Sequence, residues 1–262
     1  MPKPRRLQER RGWAFGLCVA VAEPLLLVFT KRQWKGGENI PASGGCILAV
    51  NHISHLDPFT CTHFVYSWGR IVRFLAKAEL FELPLLGRVV RSAKQIPVFR
   101  LTADASLSFT AAVDAVEQGQ CVVVYPEGTI TRQPDLWPMT GKTGAARIAL
   151  SSGAPVIPVA QWGAHRILAP YSTRPRLLPR KTIQMAAGSP VALDDLREQP
   201  LTPDVLVEAT NRIMDAITRL LEEIRGERAP AERFDPRSAG VRPIGNPRVR
   251  TSSRGRFRDR RR

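Results

Sequence analysis

A chain of 262 residues with 44% hydrophobic and 24% charged side chains is long and apolar enough for one or two folded domains, which excludes a wholly disordered protein. Its net charge of +16 is gathered at the ends: five basic and one acidic residue in the first eleven, twelve basic and four acidic from Gly226 onward. Such ends suit polyanions (anionic lipid, nucleic acid or acidic protein) or are simply solvated. The four cysteines, Cys18, Cys46, Cys61 and Cys121, have no CxxC spacing, which argues against a zinc framework and for reduced, packed thiols in a reducing compartment.

Residues 13–30 are mostly apolar, are interrupted by Glu23-Pro24, and lie near the lower length limit for a membrane span. Arg5, Arg6, Arg10 and Arg11 precede them, and Lys31 and Arg32 follow. The pattern predicts one helix, or two short ones, lying in one leaflet with the basic flanks on the headgroups. An ordinary buried helix is the alternative. The basic start lacks the small-residue cleavage site of a signal peptide.

Strand and helix signals then alternate. Residues 46–50 read as a strand, and 58–68 as a helix with Asp57 as N-cap and Pro58 at its first position. A short strand over 72–76 precedes a helical stretch, 80–92, broken at Pro84. Residues 95–99 read as a strand, 104–118 as a helix ended by Gly119, and 121–125 as the next strand. A helix over 142–152, ended by Gly153, leads to strands over 155–160 and 182–187. Residues 203–225 form an amphipathic helix with Leu206, Ile213, Ile217, Leu220, Leu221 and Ile224 on one stripe. Continuous apolar strands between helices predict an α/β fold: a mixed, mostly parallel sheet flanked by helices. Three regions are expected: a basic N-terminus with a membrane-associated helical segment (1–34), a central domain (35–225), and a basic, disordered tail (226–262).

Two polar clusters follow strands. The first, Asn51-His52-Ile53-Ser54-His55-Leu56-Asp57, offers a histidine as general base near neutral pH and a carboxylate to fix its tautomer. A structural His-Asp hydrogen bond reads equally well from the spacing. His55 and His63 are expected to be packed or exposed bystanders, and no GxSxG elbow supports Ser54 as a nucleophile. The second cluster, Tyr125-Pro126-Glu127-Gly128-Thr129, is a turn whose backbone N–H groups and hydroxyl suit a phosphate. Glu127 there would accept from a ligand hydroxyl or orient a basic residue. Arg100, Arg132 and Lys142 are the nearby cations. Two strand ends carrying chemistry predict one active site at one edge of a sheet.

Together the clusters resemble the NHxxxxD glycerolipid acyltransferases, most closely the bacterial 1-acylglycerol-3-phosphate acyltransferases. Asn51-His52 with Asp57 match the first block and Tyr125-Pro126-Glu127-Gly128-Thr129 the third. Gln95-Ile96-Pro97-Val98-Phe99-Arg100 and Val156-Ile157-Pro158-Val159-Ala160 resemble the second and fourth, and the likeness covers roughly residues 35–190. The resemblance implies His52 as base, Asp57 as its orienting carboxylate, and Arg100, Glu127, Gly128 and Thr129 as binders of a phosphate-bearing acceptor. It also implies an acyl-CoA or acyl carrier protein as donor, no cofactor or metal, and a seat on membrane lipid at the cytoplasmic face. Ile130 departs from the arginine usual there, which passes the phosphate contact to Arg132 or Lys142 and leaves glycerol 3-phosphate, another lysolipid or a glycolipid as alternative acceptors. Nucleic acid is not expected as the main partner, because the basic residues lie mostly in the ends and few aromatics are interleaved with them.

Overall fold

Runs such as Cys-Ile-Leu-Ala-Val and Cys-Val-Val-Val have no polar face, so they pair only where helices cover both sides of a sheet. The computed structural model describes residues 5–7, 9–98 and 105–241. Among these, seven strands form one sheet: β1 (Thr30–Lys35), β2 (Cys46–Val50), β3 (Val72–Lys77), β4 (Ile96–Val98), β5 (Cys121–Val124), β6 (Val156–Trp162) and β7 (Lys181–Ala187). Their order is β1-β7-β6-β2-β5-β3-β4. All neighbours run parallel except β6 and β7. The sheet is therefore mixed and mostly parallel, as expected.

Helices cover both faces: α1 (Trp13–Phe29), α2 (Asp57–Ser67), α3 (Glu79–Glu82), α4 (Pro84–Ser92), α5 (Ala105–Glu117), α6 (Gly144–Ser152), α7 (Ala164–Ile167), α8 (Asp194–Arg197) and α9 (Pro203–Arg225). The period-two alternation of the strands sorts their side chains. Ile47, Ala49, Val122, Val124 and Val156 pack with α5, α6 and α9. Leu48, Val50, Val123 and Ile157 pack with α1 and α2. Because β2 lies between β5 and β6, the loops that leave β2 and β5 emerge side by side at one edge.

Two expectations are corrected. The boundary after residue 34 cuts β1, which is an edge strand pairing Thr30–Lys35 with Lys181–Ala186. Its lysines and arginine mask the strand signal because an edge strand tolerates charge on its free side. Residues 226–241 do not leave the body as a tail. Ala229 N donates to Glu222 Oε1 (2.8 Å), Thr140 N donates to the Phe234 carbonyl (2.9 Å), and Arg233 pairs with Asp215. Backbone and charge contacts hold this stretch, so it carries no apolar period. Residues 242–262 lie outside the described residues. Of the two forms expected for residues 13–30, the structure has the first: α1 runs as one helix through Pro24.

Helix α1 buries Ala14, Phe15, Val19 and Leu26 and leaves Trp13, Leu17, Val21, Leu25, Leu27 and Val28 exposed. No helix among the described residues is long and apolar enough to cross a membrane.

Candidate active site

The loop after β2 is fixed from several sides. Asn51 and Gln161 exchange three hydrogen bonds of 2.8–3.1 Å, joining the ends of β2 and β6. His52 N donates to Glu127 Oε1 at 2.9 Å, and the His52 carbonyl accepts from Thr131 N at 2.8 Å. Ser54 Oγ donates to the Leu168 carbonyl at 2.6 Å, a structural role.

Asp57 is not the N-cap that its position before Pro58 predicts. Helix α2 starts at Asp57 itself, with Leu56 as its uncapped neighbour. Its carboxylate turns back into the loop instead. Oδ2 accepts from Ile53 N (2.6 Å) and Ser54 N (2.8 Å) and faces His52 Nδ1 at 2.8 Å. Asp57 is 0% exposed and His52 partly open. A carboxylate on Nδ1 puts the ring proton there and leaves Nε2 as the free basic nitrogen. The imidazole lies on Tyr125, with ring centroids 4.2 Å apart, and Tyr125 in turn stacks on Phe74.

The turn after β5 holds the other cluster. Gly128 has φ +69°, and a Cβ there would lie 2.8 Å from Lys142 Nζ, so the lysine crosses directly over the turn. Gly128, Thr129 and Lys142 line the same cavity as His52. Arg132 does not line it. Its guanidinium lies 4.7 Å from the Tyr171 ring centre, and Tyr171 forms part of the wall.

Glu127 requires a correction. It is 1% exposed, its Oε1 accepts from His52 N, and its Oε2 accepts from Met139 N at 3.1 Å. Both oxygens bond backbone, so Glu127 joins the two loops and does not reach a ligand. Burial pushes its carboxyl up to about 8, against the pull of the Met139 and His52 amides. Arg100 lies outside the described residues.

The cavity has a volume of about 930 Å³. Both Lys77 and Val72, at opposite ends of β3, line it. The five steps between them, about 3.3 Å each, make it about 16 Å long. His52, Lys77, Thr129, Lys142 and Tyr171 gather at the end where the strands finish. Below them the wall is chiefly apolar, built from α1, α2, α4 and β3.

Sequence reasoning missed two of these wall residues. Lys77 was readable, since it directly follows the strand expected over 72–76, at the same sheet edge. Tyr171 was not: it sits in an irregular loop at φ +58° and is placed by bonds from its hydroxyl to the Ile130 carbonyl (2.9 Å) and Thr129 Oγ1 (3.4 Å). His55 stands at the opening, edge-on to Tyr171, its basicity lowered by desolvation and by His52 and Lys77. His63 is buried against Trp34, and burial with Arg32 nearby holds it down to about 4. Burial raises the Cys61 thiol far above its usual range, and Cys61 plays no nucleophilic part.

Comparison with known proteins adds to this geometry. The acyltransferase family model matches residues 31–162. A chloroplast 1-acyl-sn-glycerol-3-phosphate acyltransferase of Brassica napus is 30% identical over 142 residues, 53% of this chain and 40% of that protein. The 1-acyl-sn-glycerol-3-phosphate acyltransferase of Bacillus subtilis is 24% identical over 189 residues, 71% of this chain and 88% of that one. The chain thus spans less than half the length of the plant relative. The crystal structure of the 1-acyl-sn-glycerophosphate acyltransferase of Thermotoga maritima superposes with a TM-score of 0.60 at 21% identity, covering 82% of this chain and 81% of that one, which establishes the shared fold.

Proposed function

The chain belongs to the acyltransferase family, and on that premise we propose that it transfers an acyl chain from an acyl thioester to the 2-hydroxyl of 1-acylglycerol 3-phosphate, forming phosphatidate. The observation that carries this reading is the His52–Asp57 pair at the polar end of a long apolar cavity. An acyl chain suits the apolar length, and the thioester carbonyl would then lie beside the imidazole.

In this reading His52 Nε2 takes the proton of the acceptor hydroxyl as its oxygen attacks the thioester carbonyl. Asp57 stabilises the imidazolium. The tetrahedral intermediate collapses with loss of the thiolate, which recovers the proton from His52. The products are an ester and a free thiol, and the base is restored. A thioester is already activated, so no covalent enzyme intermediate, cofactor or metal is required. Lys142 over the Gly128 turn, Lys77 on the same cavity wall, and Arg132 against Tyr171 would give the acceptor's phosphate a positive surround, to which Arg100 is assigned by resemblance alone. The acyl donor in this reading is an acyl-CoA or acyl carrier protein.

The exposed apolar face of α1, flanked by basic residues, suits one leaflet of a membrane at its cytoplasmic side. The protein would lie on lipid with the cavity open to it.

The test is acyl transfer from labelled acyl-CoA by the purified protein and by His52→Ala, with lysophosphatidate and glycerol 3-phosphate as parallel acceptors. Turnover with lysophosphatidate, abolished in the variant, is the expected outcome. Turnover with glycerol 3-phosphate alone replaces the acceptor. Undiminished turnover in His52→Ala removes the base.

A further inference from the structure

The segment between Leu168 and β7 carries charge of one sign only. No acidic residue occurs between Asp135 and Asp194. Within that window the loop carries Arg174, Arg176 and Arg180, followed by Lys181. Two aliphatic side chains stand among these arginines: Leu177 is 39% exposed and Leu178 73%. An exposed leucine pair on a loop has no packing explanation in this fold, and apolar groups in such a setting mark an interaction surface.

The loop is also held in a particular place. Arg180 Nη2 donates to the Leu27 carbonyl (2.8 Å) and the Thr30 carbonyl (2.7 Å), closing the C-terminus of α1. Thr30 pairs with Lys181 in the sheet. Leu177 and Leu178 therefore adjoin the end of α1, where Leu25 (53%) and Val28 (59%) are exposed and Lys31 and Arg32 follow. At its other end the loop begins with Tyr171, part of the cavity wall. It thus borders the cavity at one end and extends the apolar face of α1 at the other.

We propose that residues 172–181 form a second lipid-contact element that selects anionic headgroups and holds the cavity's polar end against the bilayer. Leu177 and Leu178 enter the leaflet, while Arg174 and Arg176 stay at the level of the lipid phosphates, their stems along the apolar boundary. Arg180 is the fastening to α1. A nucleic-acid backbone would match the arginines but offers nothing apolar to two adjacent leucines, so the lipid fits better. The inference shares with the proposed function the seat on a membrane. It does not depend on the reaction, and its readout is binding.

The experiment pellets the full-length protein with vesicles of phosphatidylcholine alone or with an equal part of phosphatidylglycerol. The basic chain ends are common to every variant, so differences between variants belong to the loop. Arg174→Ser with Arg176→Ser should bind the anionic vesicles about 30-fold more weakly, at about fivefold per arginine, and phosphatidylcholine unchanged. Arg174→Lys with Arg176→Lys should restore most of that loss. Leu177→Ser with Leu178→Ser should weaken binding to both vesicles, by about tenfold. Wild-type binding by either serine variant overturns the proposal. So does loss of duplex-DNA binding in the arginine variant with vesicle binding intact, which would assign the loop to nucleic acid. Loss of vesicle binding in a preparation that turns over no lysophosphatidate leaves the loop assigned and removes only the acceptor.

Discussion

Asp57 and Glu127 are both buried carboxyls, at 0% and 1% exposure, in adjoining loops at one edge of the sheet, yet they do different work. Asp57 faces the His52 imidazole and uses two loop amides to hold its own oxygen in place. Glu127 faces backbone, one amide from each loop, with the Thr131 hydroxyl beside them. The first therefore acts on the chemistry of a ring, and the second on the position of the chain carrying that ring. Burial alone separates neither role; the bonding partner does.

The largest effect expected from this contrast is in Asp57→Asn. The amide oxygen keeps the bonds from Ile53 and Ser54, but the charge that fixes the tautomer and stabilises the imidazolium is gone. Turnover should fall by about 10⁴-fold with a melting temperature close to wild type. A loss under tenfold would make the pair structural. Glu127→Gln should invert the pattern. It sets a donor against the amide of His52 or Met139 and costs about 1–3 kcal/mol of stability, with a much smaller loss of turnover. It should also change the pH dependence of stability. A carboxyl held near 8 when folded and near 4.5 when unfolded keeps its proton only in the folded state between those values. That stability is complete below about pH 4.5 and is lost as pH rises through about 8. Above about pH 7 the histidines His63 and His165, both held down to about 4 by burial, are mostly neutral whether folded or unfolded. Denaturant titrations from pH 7 to 9 should therefore show wild-type stability falling by a few kcal/mol at most and the Glu127→Gln curve flatter. Parallel curves would mean that Glu127 enters this range already ionised.

The same contrast explains what could be read from the chain. Strands β2, β5 and β6 are continuous apolar runs and were legible, as was α9, whose stripe faces the sheet. Strand β1 was hidden, because Lys31, Arg32 and Lys35 are compatible with an edge and with a solvated linker alike. The five-residue step from His52 to Asp57 was legible because it links a strand end to a helix start, a short closed geometry. The direction in which Asp57 points was not, since a carboxylate before a proline reads as a cap. Glu127 in a Pro-Glu-Gly turn reads as solvent-facing, and only the packing of Thr131, Met139 and the His52 loop around it reverses that. The bonds that define the site run between loops some 75 residues apart in the chain, and spacing within one segment does not report them.

Smaller effects sharpen the phosphate side of the site. Gly128→Ala places a methyl group 2.8 Å from Lys142 Nζ on a backbone at φ +69°. The lysine tip is the part that yields, and the left-handed turn costs about 1–2 kcal/mol. The acceptor KM should rise about tenfold while kcat changes little. An unchanged KM would remove Lys142 from the acceptor's phosphate.

Tyr171→Phe should have the smallest effect. It deletes the hydroxyl that bonds the Ile130 carbonyl and Thr129 but keeps the ring on which Arg132 rests, 4.7 Å from the ring centre. One neutral hydrogen bond contributes about 0.5–1.5 kcal/mol, and the second, at 3.4 Å, adds little. The expected result is a slightly lower melting temperature and an acceptor KM within about threefold of wild type. Tyr171→Ala would remove the platform itself, and its acceptor KM should rise well beyond that of the phenylalanine variant. The gap between the two variants measures how much of the acceptor's affinity runs through the placement of Arg132. If both behave alike, the placement of Arg132 on Tyr171 does not act on the acceptor, and the positive surround at this end reduces to Lys77 and Lys142.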